Sequence, residues 1–388
     1  SGKLLAGWIA IAPICGALQW RPSIWITGPS GSGKAQPHSA QVLTVKGWRS
    51  MGEIAVGDYV RTPDGGYGQV RNVYPQGQVP IYRLTFADGR STRATADHLW
   101  KVRVNGAWRL RTTKDVAEMI ARDSNCSASV AVPLCQPVEV RANRKVTLPI
   151  DPYVLGVFIG DGYLGDDHAG GSQSIRLSSL DPFIVERVRA RLPERLQLYD
   201  TLDVTEFRLG DLSRYGRVAR ELFKELRLFG CRSQDKFIPE AYLQASVTKR
   251  IELLRGLMDT DGTISGGSAS FSTVSKRLAE QVCRLVRSLG GTALIGEKSS
   301  NYTHNGEYRS GRPAFNVSIR MPDREMLFAL PRKRDLAAEP YQYADRFYLR
   351  IRSVEPDGVE EASCIAIDHP DRLYITDDFV VTHNTYVL

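Results

Sequence analysis

Near the end of the chain, His383-Asn384-Thr385 sets an amide that can cyclise onto its own carbonyl beside an imidazole able to assist it and a hydroxyl able to accept an acyl group. That hydroxyl also completes a distant pattern. Gly28-Pro-Ser-Gly-Ser-Gly-Lys34 is a phosphate-binding loop without its final Ser/Thr, the residue that would hold Mg²⁺, and the next residue is Ala35. Joining Lys34 to Thr385 restores the loop behind the apolar run Ile24-Trp-Ile26. Gly28, Gly33, Lys34 and Thr385 would therefore cradle nucleotide phosphates only once residues 35–384, 350 in all, had left.

Two further motifs place carboxylates at matching positions. Asp151-Pro-Tyr-Val-Leu-Gly-Val-Phe-Ile-Gly-Asp161-Gly162 opens with a helix cap and a proline, and Ile251-Glu-Leu-Leu-Arg-Gly-Leu-Met-Asp-Thr-Asp261-Gly262 matches it 100 positions later. Gly156 and Gly160 share one helix face, as do Gly256 and Thr260, so two backbones can approach closely. Asp161 and Asp261 would then converge at the bottom of the pair. Carboxylates at helix C-termini are disfavoured by the dipole and repel each other, so both call for a cation such as Mg²⁺. A metal there can activate water and stabilise the leaving oxygen of a phosphodiester.

The elements around these motifs differ along the chain. Residues 39–110 read as short strands, Gln41–Val45, Tyr59–Arg61, Tyr82–Phe86 and Trp100–Val104, with turns at Pro63-Asp-Gly-Gly66, Ala87-Asp-Gly89 and Asn105-Gly106. Strands return at Tyr348–Arg352, Cys364–Ile367, Leu373–Ile375 and Phe379–Val381. Helical patterns dominate from 151 to about 335, and the similar stretches Arg176–Ser179 and Ser270–Thr273 behind each acidic motif predict two half-domains. An α+β domain is thus expected inside an all-β one.

Composition is that of a globular chain: 388 residues, 42% hydrophobic and 24% charged, with no apolar run of the roughly 18 residues that span a membrane. Six cysteines without a Cys-x-x-Cys pair argue against a zinc site and for free thiols in a reducing cytoplasm. The net charge of +8 permits a nucleic-acid partner, and its local source is 298–334, with eight Lys/Arg against three acids, interleaved with Tyr302, Tyr308 and Phe315.

Residues 150–335 resemble the LAGLIDADG homing endonucleases in their single-chain, two-motif form. Leu254-Arg-Gly-Leu-Met-Asp-Thr-Asp-Gly262 is a close match, Val154-Leu-Gly-Val-Phe-Ile-Gly-Asp-Gly162 a looser one, and Lys236-Phe-Ile-Pro239 matches the family's Lys-x-Ile-Pro segment. The resemblance implies a monomer that lays two β-saddles on double-stranded DNA, with Lys236 near the scissile phosphate and Asp161 and Asp261 on Mg²⁺. Without that motif, Lys236 would read as a surface lysine.

The flanking parts resemble inteins of the hedgehog/intein β-fold. Thr95-Ala-Asp-His98 matches their Thr-x-x-His block, which distorts the upstream peptide bond, and His383-Asn384-Thr385 matches their downstream end. Inteins usually begin with Cys or Ser, whereas Ala35 offers no nucleophile. Trp100, Cys364 and Thr382 match the triplet of the class 3 inteins, which begin without one; the resemblance implies attack by Cys364 on the Lys34 carbonyl. Asp371 stands where many inteins have histidine, which shifts assistance to His383.

The expected division is a host ATPase flank over 1–34, splicing parts over 35–148 and 341–384, an endonuclease over 149–340, and a second flank over 385–388. Its partners would be those flanks in cis and DNA encoding the uninterrupted loop, with no cofactor for splicing. Competing readings are an intein with an inactive nuclease, and an ordinary intein whose first nucleophile has been replaced by Ala35.

Overall fold

The computed structural model describes residues 34–122, 130–141, 147–166, 171–211, 217–266, 268–298, 301–304, 307–310, 312–340 and 347–384. Gly28, Gly33 and Thr385 lie outside these, as do the hydrophobic stretch before the loop and the side chains of Tyr302 and Tyr308.

The first part of the chain forms β1 (Gln36–Pro37), β2 (Gln41–Thr44), β3 (Gly47–Ser50), β4 (Tyr59–Arg61), β5 (Tyr67–Phe86), β6 (Ser91–Thr95), β7 (Leu99–Val104), β8 (Ala107–Thr112), helix α1 (Thr113–Arg122) and β9 (Ala131–Val132). The last part adds Leu349–Ile367, Leu373–Thr376 and Val380–His383. All of these strands join one sheet, in which the final two continue β2 and the 349–367 strand runs beside β5. The turn expected at Asn105-Gly106 joins β7 to β8 with both residues at positive φ, the geometry of a two-residue hairpin.

Strands at Tyr82–Phe86, Tyr348–Arg352 and Cys364–Ile367 were expected as separate short pieces, and here the structure differs. The first is the end of the 20-residue β5, and the other two are the ends of one 19-residue strand. Pro356-Asp-Gly358 does not reverse the chain. Gly358 takes a positive φ, and a register shift between Pro356 and Val359 absorbs it as a bulge.

Between these parts lies an α+β unit with an internal repeat. Its first half runs α2 (Pro152–Asp161), β10 (Gly162–Leu164), β11 (Ile175–Ser178), α3 (Pro182–Arg191), β12 (Leu196–Asp200), β13 (Glu206–Asp211) and α4 (Arg217–Glu225), followed by the short α5 (Glu240–Leu243). The second half runs α6 (Val247–Thr260), β14 (Gly262–Ser265), β15 (Ser268–Thr273), α7 (Lys276–Ser288), β16 (Thr292–Lys298), β17 (Asn301–His304), β18 (Glu307–Ser310), β19 (Ala314–Arg320) and α8 (Pro331–Ala338). The remaining strands of the outer sheet are β20 (Leu349–Ile367), β21 (Leu373–Thr376) and β22 (Val380–His383).

The half-domains share one strand order, β10-β11-β13-β12 and β14-β15-β19-β16, with the β17–β18 hairpin as an addition to the second. One continuous core from Ile150 to Ala337 joins the halves, while the outer sheet is held by several smaller clusters. The architecture is therefore the expected one: an all-β domain interrupted by a two-repeat α+β domain.

Candidate functional sites

The inner site begins with the contact between α2 and α6. Asp151 caps α2, accepting from the Tyr153 and Val154 N–H groups, and Pro152 follows at the first helical position. A Cβ on Gly156 would lie 2.4 Å from the Leu253 carbonyl oxygen, one on Gly256 2.3 Å from that of Tyr153, and one on Gly160 2.1 Å from the Thr260 hydroxyl. Only residues this small permit the approach. The helices consequently end side by side, and Asp161 and Asp261 sit close enough to repel.

Burial pushes the Asp261 carboxyl up to about 6, with Asp161 pushing the same way and Lys236 and Lys333 opposing. Asp161 is raised by burial as well. Lys236 is buried rather than a surface lysine, because its amine is drawn to the end of α2, donating to the Gly160 and Gly162 carbonyls at 2.8 Å each. Burial lowers it to about 8.

Lys333 is a functional candidate to which no sequence motif points. It donates to the carbonyls of Met258, Asp259 and Gly262 at 2.6–2.9 Å, and so does at the end of α6 what Lys236 does at α2. The signal was the repeat itself: a lysine serving one half calls for a counterpart in the other.

Among the described residues no group of three or more His, Cys, Asp and Glu gathers as a metal site. The Asp161–Asp261 pair nevertheless fits Mg²⁺, which is usually held by one or two carboxylates with water and substrate phosphate completing the shell. Two carboxylates whose proton affinity is raised by burial are relieved by a divalent cation.

The outer site gathers at the junction of Lys34 and Ala35. Thr95 holds Ala35 at both ends: its hydroxyl accepts from the Ala35 N–H at 3.0 Å and donates to the Ala35 carbonyl at 3.1 Å, while its own N–H donates to that carbonyl. Gln36 pairs with Ser363 and Pro37 with Ala362, so the next step of this antiparallel register sets Ala35 opposite Cys364. Ala35, Ile81, Ala362 and Cys364 pack as one buried cluster.

Gln36, a residue the sequence did not single out, anchors the strand that delivers this junction. Its buried amide donates to Thr92 and Thr376 and accepts from the Tyr374 hydroxyl at 2.7 Å.

His98 faces the same junction. Its Nε2 lies 2.6 Å from the Thr382 hydroxyl, its ring meets the Trp100 ring edge-on at 4.9 Å, and the indole N–H donates to Thr113 at 2.9 Å. Trp100 is thus both a core residue and the wall behind the imidazole. The Nδ1 of His98 is buried without a partner at bonding distance among the described residues. Burial lowers the ring to about 3, His383 adds to this, and the Lys34 backbone opposes it.

At the downstream end, the His383 Nδ1 contacts the Asn384 carbonyl oxygen. Burial lowers His383 to about 4. Oriented so that both ends are satisfied, the Asn384 side-chain amide donates to the Arg372 carbonyl at 2.8 Å and accepts from the Ile367 N–H at 2.6 Å.

The predicted residues therefore fall into two groups. Thr95, His98, Trp100, Cys364, Thr382, His383 and Asn384 surround the outer junction, and Asp161, Asp261 and Lys236 meet at the inner helix pair; Thr385 lies outside the described residues. No helix among the described residues is long and apolar enough to cross a membrane.

Residues 248–327 match the model of the LAGLIDADG-like domain. The replicative DNA helicase DnaB of Mycobacterium intracellulare is 28% identical over 95% of this chain and 61% of its own length. That of Synechocystis sp. is 24% identical over 65% of this chain and 28% of its own length. The chain thus spans less than two thirds of these relatives. Among solved structures, the MchDnaB-1 intein is similar at 10% identity and TM-score 0.28, covering 90% of this chain and all of its own. I-DmoI in complex with DNA and Ca is similar at 18% identity and TM-score 0.29, over 48% of this chain and 95% of its own. The chain thus carries a LAGLIDADG-like domain between two segments of one β-sheet domain.

Proposed function

We propose that the chain is a self-splicing intein of the class 3 kind, spanning 35–384, whose removal joins 1–34 to 385–388 in a DnaB-type helicase and restores its phosphate loop. The observation that carries this reading is the β1–β20 register, which sets Ala35 opposite Cys364 inside one buried cluster.

In the first step the Cys364 thiolate attacks the Lys34 carbonyl carbon, the bond to the Ala35 nitrogen breaks, and a thioester forms. Thr95 holds the leaving nitrogen in place. A neutral His98, hydrogen-bonded to Thr382 through Nε2, can take up on Nδ1 the proton released by the Cys364 thiol and pass it to that nitrogen, so that the ring ends neutral again.

The acyl group then passes to the Thr385 hydroxyl and the thiol is regenerated. The Asn384 amide nitrogen next attacks its own carbonyl, closing a succinimide and breaking the bond to Thr385. His383 polarises that carbonyl through Nδ1, and the Arg372 carbonyl aligns the attacking amide. The ester finally rearranges to a peptide.

The inner unit, about 149–340, is proposed to cut double-stranded DNA encoding the uninterrupted loop. Asp161 and Asp261 would hold Mg²⁺, which would activate water and stabilise the leaving oxygen. Lys236 and Lys333, kept beside the carboxylates, offset charge building on the phosphate.

Mass spectrometry of the freshly expressed chain tests the central claim. A 350-residue product together with joined flanks ending Gly-Lys-Thr-Tyr-Val-Leu is expected, and an intact chain after days in reducing buffer would refute it.

A further inference from the structure

Two arginines from different units grip one strained turn. Asp378 and Phe379, between β21 and β22, both take the left-handed conformation, with φ of 51° and 65°. Aspartate tolerates this conformation better than most residues, but a buried phenylalanine does not, so surrounding contacts must hold the turn. Arg90, fully buried in the outer unit, donates to the Asp378 and Phe379 carbonyls at 3.3 Å each. Arg287, in the last turn of α7 of the inner unit, bonds the Asp378 carboxylate through Nη1, and its Nη2 donates to the Asp88 carbonyl at 2.7 Å and the Ala293 carbonyl at 3.0 Å.

The surrounding contact is built in depth. Arg90 also donates to the Gly291 carbonyl of the inner unit and to the Asp88 carboxylate. The fully buried Arg250, from α6, donates to the Val138 carbonyl and to Ser288. A Cβ on Gly290 would lie 2.6 Å from the Cys135 carbonyl oxygen. The inner unit is thus docked on the outer one at the end of α7, directly against the turn that leads into β22. That strand carries Thr382 and His383 and ends beside Asn384.

We propose that Arg287, although it belongs to the inner unit, is a positioning residue for splicing, holding the Asp378-Phe379 turn and through it the strand that presents Thr382, His383 and Asn384. The proposal rests on the splicing function proposed above. It assigns the inner unit a part in the outer chemistry that is independent of Asp161 and Asp261.

The test uses the full chain, comparing the unaltered protein with Arg287→Ala, Arg287→Lys, and Arg287→Ala combined with Asp378→Gly. Asn384 cyclisation is followed by mass spectrometry, and amide exchange of 379–383 is compared with that of α2 and α6. Arg287→Ala should slow cyclisation about tenfold, within the range for members of one hydrogen-bonded network, and should deprotect 379–383 while α2 and α6 keep their protection. Arg287→Lys should fall between. Glycine at 378 removes the backbone strain there, so the double variant should recover most of the rate.

Unchanged cyclisation and exchange in Arg287→Ala would overturn the proposal. So would a loss of protection spread through α2 and α6 with no recovery from glycine, since Arg287 would then only hold the inner unit together. If the unaltered chain did not cyclise at all, the splicing function would fall, while the exchange of 379–383 would still decide whether Arg287 holds β22.

Discussion

The imidazole of His98 lies 2.6 Å from the hydroxyl of Thr382 across 284 residues of sequence, and neither group reaches water. A protonated ring is therefore costly here, and His383 is in a similar position. Both hold fewer protons folded than unfolded. The stability linked to them is fully present above the unfolded value near 6.5 and is lost as pH falls toward about 4 for His383 and about 3 for His98. With splicing blocked by Cys364→Ala and Asn384→Ala, the urea midpoint should drop between pH 7 and pH 5. His98→Gln should flatten that dependence by up to about 1.4 kcal/mol per pH unit; equal acid sensitivity with and without the histidine would remove it as the cause.

The Ala35–Cys364 juxtaposition predicts which residue attacks first. Cys364→Ala should abolish the branched intermediate and all joined product, leaving at most cleavage after Asn384, and Ala35→Gly should be tolerated. In Thr385→Ala a thioester should accumulate and release residues 1–34 on addition of hydroxylamine or dithiothreitol. Splicing restored only by Cys or Ser at 35, with indifference to Cys364, would instead identify an ordinary intein that has lost its first nucleophile.

At the inner site, Asp161→Asn or Asp261→Asn should abolish metal-dependent DNA cleavage and leave splicing nearly unchanged. Because Asp261 is raised by burial and by Asp161, its neutral replacement should also raise the melting temperature measured without divalent metal. Lys333→Met and Lys236→Met should each reduce cleavage on a scale of about 100-fold. A gel assay that found Lys333→Met fully active would break the pairing of the two lysines.

The helix contact makes a stability prediction. Gly156→Ala and Gly256→Ala each force a methyl group onto a backbone carbonyl, which no side-chain rotation can relieve. Each should cost about 3 kcal/mol, read as a lower midpoint for the inner unit in denaturant. A shift below about 1 kcal/mol would mean that the helices separate easily.

What the sequence determined by itself lies in local pattern and in repetition. The acidic motifs stand 100 residues apart with small residues at helical spacing, so the close helix pair and the convergence of Asp161 with Asp261 could be read directly. Asn105-Gly106 announced its hairpin, and the His-Asn-Thr ending is what suggests the downstream chemistry proposed above. Contacts between distant segments carry no such local signature. The strands expected separately at Tyr348–Arg352 and Cys364–Ile367 are one strand with a bulge at Pro356-Asp-Gly358, because the long partner strand β5 pairs with it on both sides. Gln36 and Lys333 are ordinary residues in sequence; burial of Gln36 among Thr92, Thr376 and Tyr374, and of Lys333 at the end of α6, gives each its role. The meeting of Arg90 and Arg287 on Asp378 was likewise decided only by tertiary structure, since a charged side chain takes its function from the partners that exclude water around it.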